Sequence, residues 1–208
     1  MNDIANSEQI VIIGYSGHAY VVVDTIYSTN GIVKGYCTPE KQKSNPFDLP
    51  YLGFESDAIL SNQNWIIAIG NNLQREKIYQ NFSNIGNYKS VAHVTAVISD
   101  FTNIAAGVFI SANTSINAMV NIGIGAIINT GAIIEHECQI GSFAHVAPGA
   151  VLAGNVYVGE RSFIGANSVV KQGVKIGNDV TIGAGSVVIR DVPDGLTVVG
   201  NPARKLNR

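Results

Sequence analysis

A period of six residues governs the second half of the chain and leaves few folds open to it. From Ile98 one slot recurs every six positions through Ile104, Ile110, Ile116, Ile122, Ile128, Ile134, Ile140, Val146, Leu152, Val158, Ile164, Val170, Ile176, Ile182 and Val188, sixteen aliphatic residues without a slip. Four residues after each stands a small or β-branched one, as at Ala126, Ala132, Cys138, Ala144 and Ser162. Glycine often follows the aliphatic directly, as at Gly123, Gly141, Gly159 and Gly177. An amphipathic helix repeats near 3.6 and a half-buried strand near 2, so neither produces this spacing. Six residues with one obligatory aliphatic form a flat side, and three such sides close a triangular coil of about eighteen residues. Stacked coils put equivalent residues in register, so the aliphatics become ladders that fill a prism while the small residues fit its corners. A parallel β-helix is the expectation.

Before Tyr88 the pattern is different. Gln9 to Ile13 reads as a buried strand, Gly14 to His18 as a turn and Ala19 to Ser28 as a helix. A strand near Ile32 to Tyr36 follows, then a loop carrying Pro39, Pro46 and Pro50, a strand over Trp65 to Ile69, and a helix near Gln74 to Phe82. This order describes an α/β, Rossmann-like unit with a parallel sheet, whose ligands sit at the carboxyl ends of the strands. Residues 1–90 are thus expected to form a ligand-binding domain, 91–190 the β-helix and 191–208 a C-terminal tail. Ser16, Gly17, His18 and Gly70 fall on one candidate ligand rim.

Composition narrows the partners. The net charge is −2 and only 13% of residues are charged, with no basic block, so a nucleic-acid footprint is missing. The start, Met1 to Gln9, is polar, and the apolar run Ile10 to Ile13 is too short for a signal-peptide core or a membrane span. A soluble, cytoplasmic chain is expected. Cys37 and Cys138 make neither a disulfide framework nor a metal site.

The Gly14 to His18 turn fails as a dinucleotide fingerprint. Ser16 stands where glycine is required, and Cys37-Thr38-Pro39 stands where an acid should hold a ribose hydroxyl. A strand-to-helix turn with free N–H groups still suits an anionic ligand. Within the hexads, no inserted loop forms a pocket, so a site belongs between prisms, and a threefold homotrimer is the economical packing. The segment Asn129 to His145 gathers two of the four histidines and two acids. One coil above His136 is Gly154, which predicts open space over the imidazole. A neutral imidazole suits a general base, and a flanking carboxylate, Glu135 or Glu137, would raise its basicity. His145 lies half a coil away and would meet His136 only across a subunit interface. A zinc site would need three converging imidazoles, but His93 is more than two coils from His136, about 11 Å along the axis at the usual strand spacing. No metal is expected.

Gly14-x-Ser16-Gly17-His18, Ala68-Ile69-Gly70-Asn71-Asn72, Glu135-His136-Glu137-Cys138-x-Ile140-Gly141 with His145, and Val199-Gly200-Asn201-Pro202-Ala203 together resemble the bacterial sugar O- and N-acyltransferases built on hexapeptide repeats. That family includes sialic acid O-acetyltransferases and N-acetyltransferases of nucleotide-linked 4-amino sugars such as the UDP-bacillosamine pathway enzyme. The resemblance covers nearly the whole chain and implies a left-handed β-helix, a homotrimer and acetyl-CoA as co-substrate. It implies His136 as the general base and Glu137, rather than Glu135, as its acid. It places His145, Ala166 and Ala184 at acetyl-CoA, Asn129 near the acceptor amine, and Ser16, Gly17, His18 and Gly70 at the nucleotide sugar. Thr38-Pro39 replaces the acidic pair that often grips the nucleotide, which leaves UDP, dTDP and GDP open. The leading expectation is N-acetylation of a nucleotide-linked 4-amino-deoxy sugar for surface glycan synthesis. O-acetylation of a sialic-acid-type sugar shares the base and is the alternative. A noncatalytic trimeric scaffold is the reading of another class.

Overall fold

The computed structural model describes residues 9–206. The polar start, residues 1–8, and the last two residues of the expected tail lie outside the described residues. The first unit opens with β1 (Gln9–Ile13), α1 (Gly17–Ser28) and β2 (Ile32–Cys37). Then come β3 (Tyr51–Gly53), α2 (Asp57–Leu60), β4 (Asn64–Ile67), α3 (Asn72–Phe82) and β5 (Asn87–Tyr88). The five strands form one parallel sheet in the order β3-β2-β1-β4-β5. Apolar residues cover both faces of this sheet, as a parallel sheet requires. Ile10 and Ile12 pack with α1 through Val22, Val23 and Ile26, while Val11 and Ile13 pack with Trp65, Leu60 and Ile78 on the other side.

Three elements, β3, α2 and β5, escape the sequence pattern. The proline-rich loop ends in β3, and the segment before β4 winds into α2. All three are too short to show a period. Both helices that were expected begin two residues earlier than their apolar residues suggest. Gly17 and His18 open α1, and Asn71 caps α3 by accepting from Gln74 N at 2.9 Å.

From Val91 onward the chain coils as a left-handed parallel β-helix of two-residue strands. From Val91 to Val188 strand partners are eighteen residues apart, as in Ile127↔His145, Ile133↔Val151 and Gln139↔Tyr157. The hexad aliphatics point inward and form one continuous core, with Ile128, Ile134, Val146, Leu152, Val158 and Ile164 all at 0% exposure. Ala132, Cys138, Ala144 and Ala150 fill the remaining inward slots beside the turns. A larger side chain there would have to displace the ladder.

The three faces differ outside. The docked face, with outward residues Val91, Phe109, Ile127 and His145, packs against α1 and β1 of the first unit. The apolar face carries Val97, Ile133 and Val169 outward, at 70%, 37% and 40% exposure. The polar face presents Asn103, Asn121, Gln139, Tyr157 and Lys175, with Asn103 donating to Asn121 at 2.8 Å. Past Val188 the coil continues: Thr197–Val199 pairs in parallel with Thr181–Ile182, and Arg204–Lys205 folds back antiparallel on it. Among the described residues no helix is long and apolar enough to cross a membrane.

Candidate functional site

His136 stands in the turn that joins the apolar face to the polar face, between Ile134 and Gln139. Its Nδ1 is 3.0 Å from Oε2 of Glu137. A carboxylate only accepts, so Nδ1 donates its proton and Nε2 is left with its lone pair. Both side chains reach solvent, at 52% and 61% exposure. Glu135 turns the other way and accepts from Asn117 Nδ2 at 2.9 Å. The two flanking acids, indistinguishable in sequence, are therefore distinct in space.

Backbone conformation brings Glu137 to its place. It is the left-handed residue of its turn, with φ 63°, in a column where Met119, Asn155 and Gly173 share that conformation. Glutamate has no preference for this region, where a non-glycine residue costs about 1–2 kcal/mol. The next coil supplies the floor. A Cβ at Gly154 would sit 2.5 Å from His136 Cε1 and 2.6 Å from Nε2. The expected open space over the imidazole is thus occupied by the ring itself, which lies on the Gly154 backbone because no side chain stands there.

The other predicted residues gather elsewhere. The amide Nδ2 of Asn129 donates to His145 Nε2 at 3.1 Å, which puts the His145 proton on Nδ1. His145 stacks edge-on with Phe163 at 5.0 Å and lies 6.3 Å from the His18 ring. His18 is half-buried and meets Phe109 of the docked face edge-on at 5.2 Å. Burial lowers the His18 pKa to about 4 and the His145 pKa to about 3, and in both the nearby Arg75 charge adds to the effect. The Gly70 carbonyl opposes this slightly at His145, but burial prevails. Both rings are neutral at pH 7; among the described residues buried His18 Nε2 has no hydrogen-bond partner, and buried His145 Nδ1 has only the Gly70 carbonyl nearby, outside good hydrogen-bond geometry.

Ser16, Gly17 and Gly70 flank the same seam. β1 and β4 are parallel neighbours, so their carboxyl ends lie side by side. Gly14 allows the close approach: with φ 96°, its Cβ would be 2.6 Å from Ile69 Cγ1. Gly17 and Gly70 have open space where a side chain would be. Ser16 precedes α1 in extended conformation, and its side chain makes no capping bond, so the first-turn N–H groups remain available to an anion. Ala166 and Ala184 stand in the turns from the docked face to the apolar face, in one column with Thr130 and Pro148. Asn129, Ala166 and Ala184 thus mark one edge of the apolar face, and His136 marks the opposite edge.

Cys138 is fully buried and its thiol donates to Ala153 O at 3.2 Å, with burial raising its pKa. That setting does not make a nucleophile. Two residues of the seam had no signal in the sequence. Arg75, inside a polar helix, is wholly buried between the domains. Tyr88 stacks on Trp65 at 4.5 Å, over turns where Gly107 and Gly125 leave room for its ring.

Residues 9–82 match the family model described as the PglD N-terminal domain, and residues 155–190 match the bacterial transferase hexapeptide model of six repeats. No curated protein sequence matches the chain. A mutant of perosamine N-acetyltransferase from Caulobacter crescentus, solved with CoA and GDP-perosamine, is 34% identical, with 96% of this chain and 97% of that chain covered and a TM-score of 0.92. The acetyltransferase domain of PglB from Neisseria gonorrhoeae, solved with acetyl coenzyme A, is 32% identical over 96% of this chain and 100% of that one, with a TM-score of 0.90. WeeI from Acinetobacter baumannii is 27% identical, covers 95% and 99% of the two chains and has a TM-score of 0.85. With one architecture shared from end to end at this identity, the chain belongs to the hexapeptide-repeat sugar acyltransferase family.

Proposed function

We propose that the protein transfers the acetyl group of acetyl-CoA to the 4-amino group of a nucleotide-linked amino-deoxy sugar, in the cytoplasm, for surface glycan synthesis. The observation that carries this reading is the His136–Glu137 pair, whose only free ring nitrogen is Nε2. Nε2 takes the proton of the sugar amine as the amine attacks the thioester carbonyl. The C–N bond forms, the tetrahedral oxyanion collapses, the C–S bond breaks, and the proton held on His136 passes to the departing thiolate. Glu137 stabilises the imidazolium that exists between these two transfers. No acyl-enzyme is required, consistent with the buried Cys138.

The substrate sites follow from the two edges. Ser16, Gly17, His18 and Gly70, around the amino end of α1, hold the nucleotide sugar, with Asn129 near its amine. His145, Ala166 and Ala184 run along the path of the coenzyme. His136 stands across the apolar face from these groups, so the site is completed when that face packs on a second copy. A homotrimer closes this arrangement with His136 of one protomer opposite Asn129 and His145 of the next. The exposed Val97, Ile133 and Val169 ladder supports that packing. The perosamine enzyme crystallised with a GDP-linked amino sugar supports the acceptor class. The test is product analysis with UDP-, dTDP- and GDP-linked 4-amino-4,6-dideoxy sugars and free sialic acid. A new amide on one amino sugar is expected; an ester on sialic acid alone would replace this reading with O-acetylation.

A further inference from the structure

Arg75 has no part in the chemistry above, yet its buried side chain is held by five hydrogen bonds of 3.2 Å or shorter. Its guanidinium is 0% exposed and uses every N–H. Nε donates to Gly125 O at 2.7 Å, Nη1 to Ile69 O at 3.0 Å and Gly70 O at 3.2 Å, and Nη2 to Asn72 Oδ1 at 2.9 Å and Phe143 O at 2.7 Å. None of these partners is a carboxylate. Neighbouring Glu76 turns instead to Arg161 at 3.1 Å. Burying a guanidinium among neutral acceptors is costly, and an apolar side chain would fill the same seam without that cost. Packing alone therefore does not account for an arginine here.

Its bonds explain it better. Two go to the Ile69–Gly70 loop of the first unit, and two go to turns of the β-helix. One of those turns ends at Ala144, immediately before His145. The titratable groups facing the guanidinium are Tyr88 from β5, His18 from α1 and His145 from the docked face. We propose that Arg75 is a positioning residue for the ligand site: its fork ties the Gly70 loop to the Phe143–Ala144 turn and so fixes His145, on the coenzyme path, 6.3 Å from His18, at the nucleotide sugar. The ligand named, a nucleotide sugar beside a thioester, rests on the proposed function. The positive charge of Arg75 favours the neutral forms of both rings and an anionic ligand nearby. Burial and this charge act in the same direction on both imidazoles.

The test needs no substrate in its first arm. Histidine Cε1–H proton resonances of the full chain are followed from pH 8 to about pH 4 in the wild type, Arg75→Lys and Arg75→Met, each checked for fold by circular dichroism. In the wild type, His18 and His145 are expected to remain neutral down to about pH 5, and in Arg75→Met their proton affinities rise about tenfold or more. Arg75→Lys keeps the charge with fewer donors, so the rings stay neutral. In the second arm it raises KM for the nucleotide sugar about tenfold with kcat within about threefold, the signature of lost substrate positioning. If Arg75→Met does not fold, the wild-type titration and Arg75→Lys decide alone. Wild-type rings that titrate above pH 6, unchanged titrations in a folded Arg75→Met, or an unchanged KM in Arg75→Lys would each overturn the proposal. Inactivity of the wild type on every acceptor would count against the proposed function, and the ring titration would then judge Arg75.

Discussion

The His136 imidazole rests on the α-carbon of Gly154 one coil away, so close that a Cβ there would lie 2.5 Å from Cε1. Gly154 has no left-handed backbone requirement, so alanine is compatible with its conformation. Gly154→Ala is expected to lower kcat about 10- to 100-fold by displacing the ring, while the melting temperature stays within about 2 °C. Steady-state kinetics beside a thermal melt checks this. Full activity would show that the ring has another resting place.

Glu137 separates function from stability. Its left-handed conformation suits asparagine or glycine better, so Glu137→Asn is expected to raise stability by up to about 1 kcal/mol. It removes the carboxylate from Nδ1, and kcat should fall about 10- to 100-fold. Denaturant unfolding and kinetics on the same protein test both halves. Glu135→Gln, whose partner is Asn117, should change kcat by less than about threefold.

How much of this was legible beforehand depends on period. The hexads showed the prism, the phase of its core and the unbroken coils, because each inward slot repeats many times. The strand and helix around Gly14 to His18 were visible for a similar reason, since β1 is a run of buried residues and α1 begins at its end. Arg75 was hidden because a single buried arginine within Gln74-Arg75-Glu76-Lys77 looks like solvated surface. The choice between Glu135 and Glu137 was also hidden, since both flank His136 and only the left-handed turn directs one of them to Nδ1. Gly154 was placed over His136 by counting, but whether its space was empty or filled depended on a rotamer.

Acid should weaken the fold in a defined window. His18 and His145 have folded pKa values of about 4 and about 3, below the unfolded value near 6.5. The unfolded chain therefore binds more protons as pH falls below 6.5, and the stability present at pH 7 is lost progressively toward pH 4. Between pH 7 and pH 5 each ring accounts for roughly 2 kcal/mol of that loss. Melting curves should show the drop, and His145→Gln should make it shallower. A melting temperature that is flat over this range would contradict the buried, neutral assignment.

The apolar face carries its own prediction. Val169 is 40% exposed on that face, beyond the core, so Val169→Glu should leave each prism folded. It should dissociate the proposed homotrimer and reduce activity about 100-fold or more, because the proposed site lies between His136 of one protomer and the opposite edge of the next. Analytical ultracentrifugation with a parallel assay reads both effects. An active monomer would place the whole site within one chain.

The central claim is that His136 Nε2 is the base for direct transfer. Thiol release from acetyl-CoA, with the nucleotide-linked 4-amino sugar that the wild type accepts, should fall about 10²- to 10⁴-fold in a folded His136→Ala variant with KM for acetyl-CoA little changed. Turnover within about threefold of the wild type would contradict that claim and move the chemistry to the His18–His145 seam.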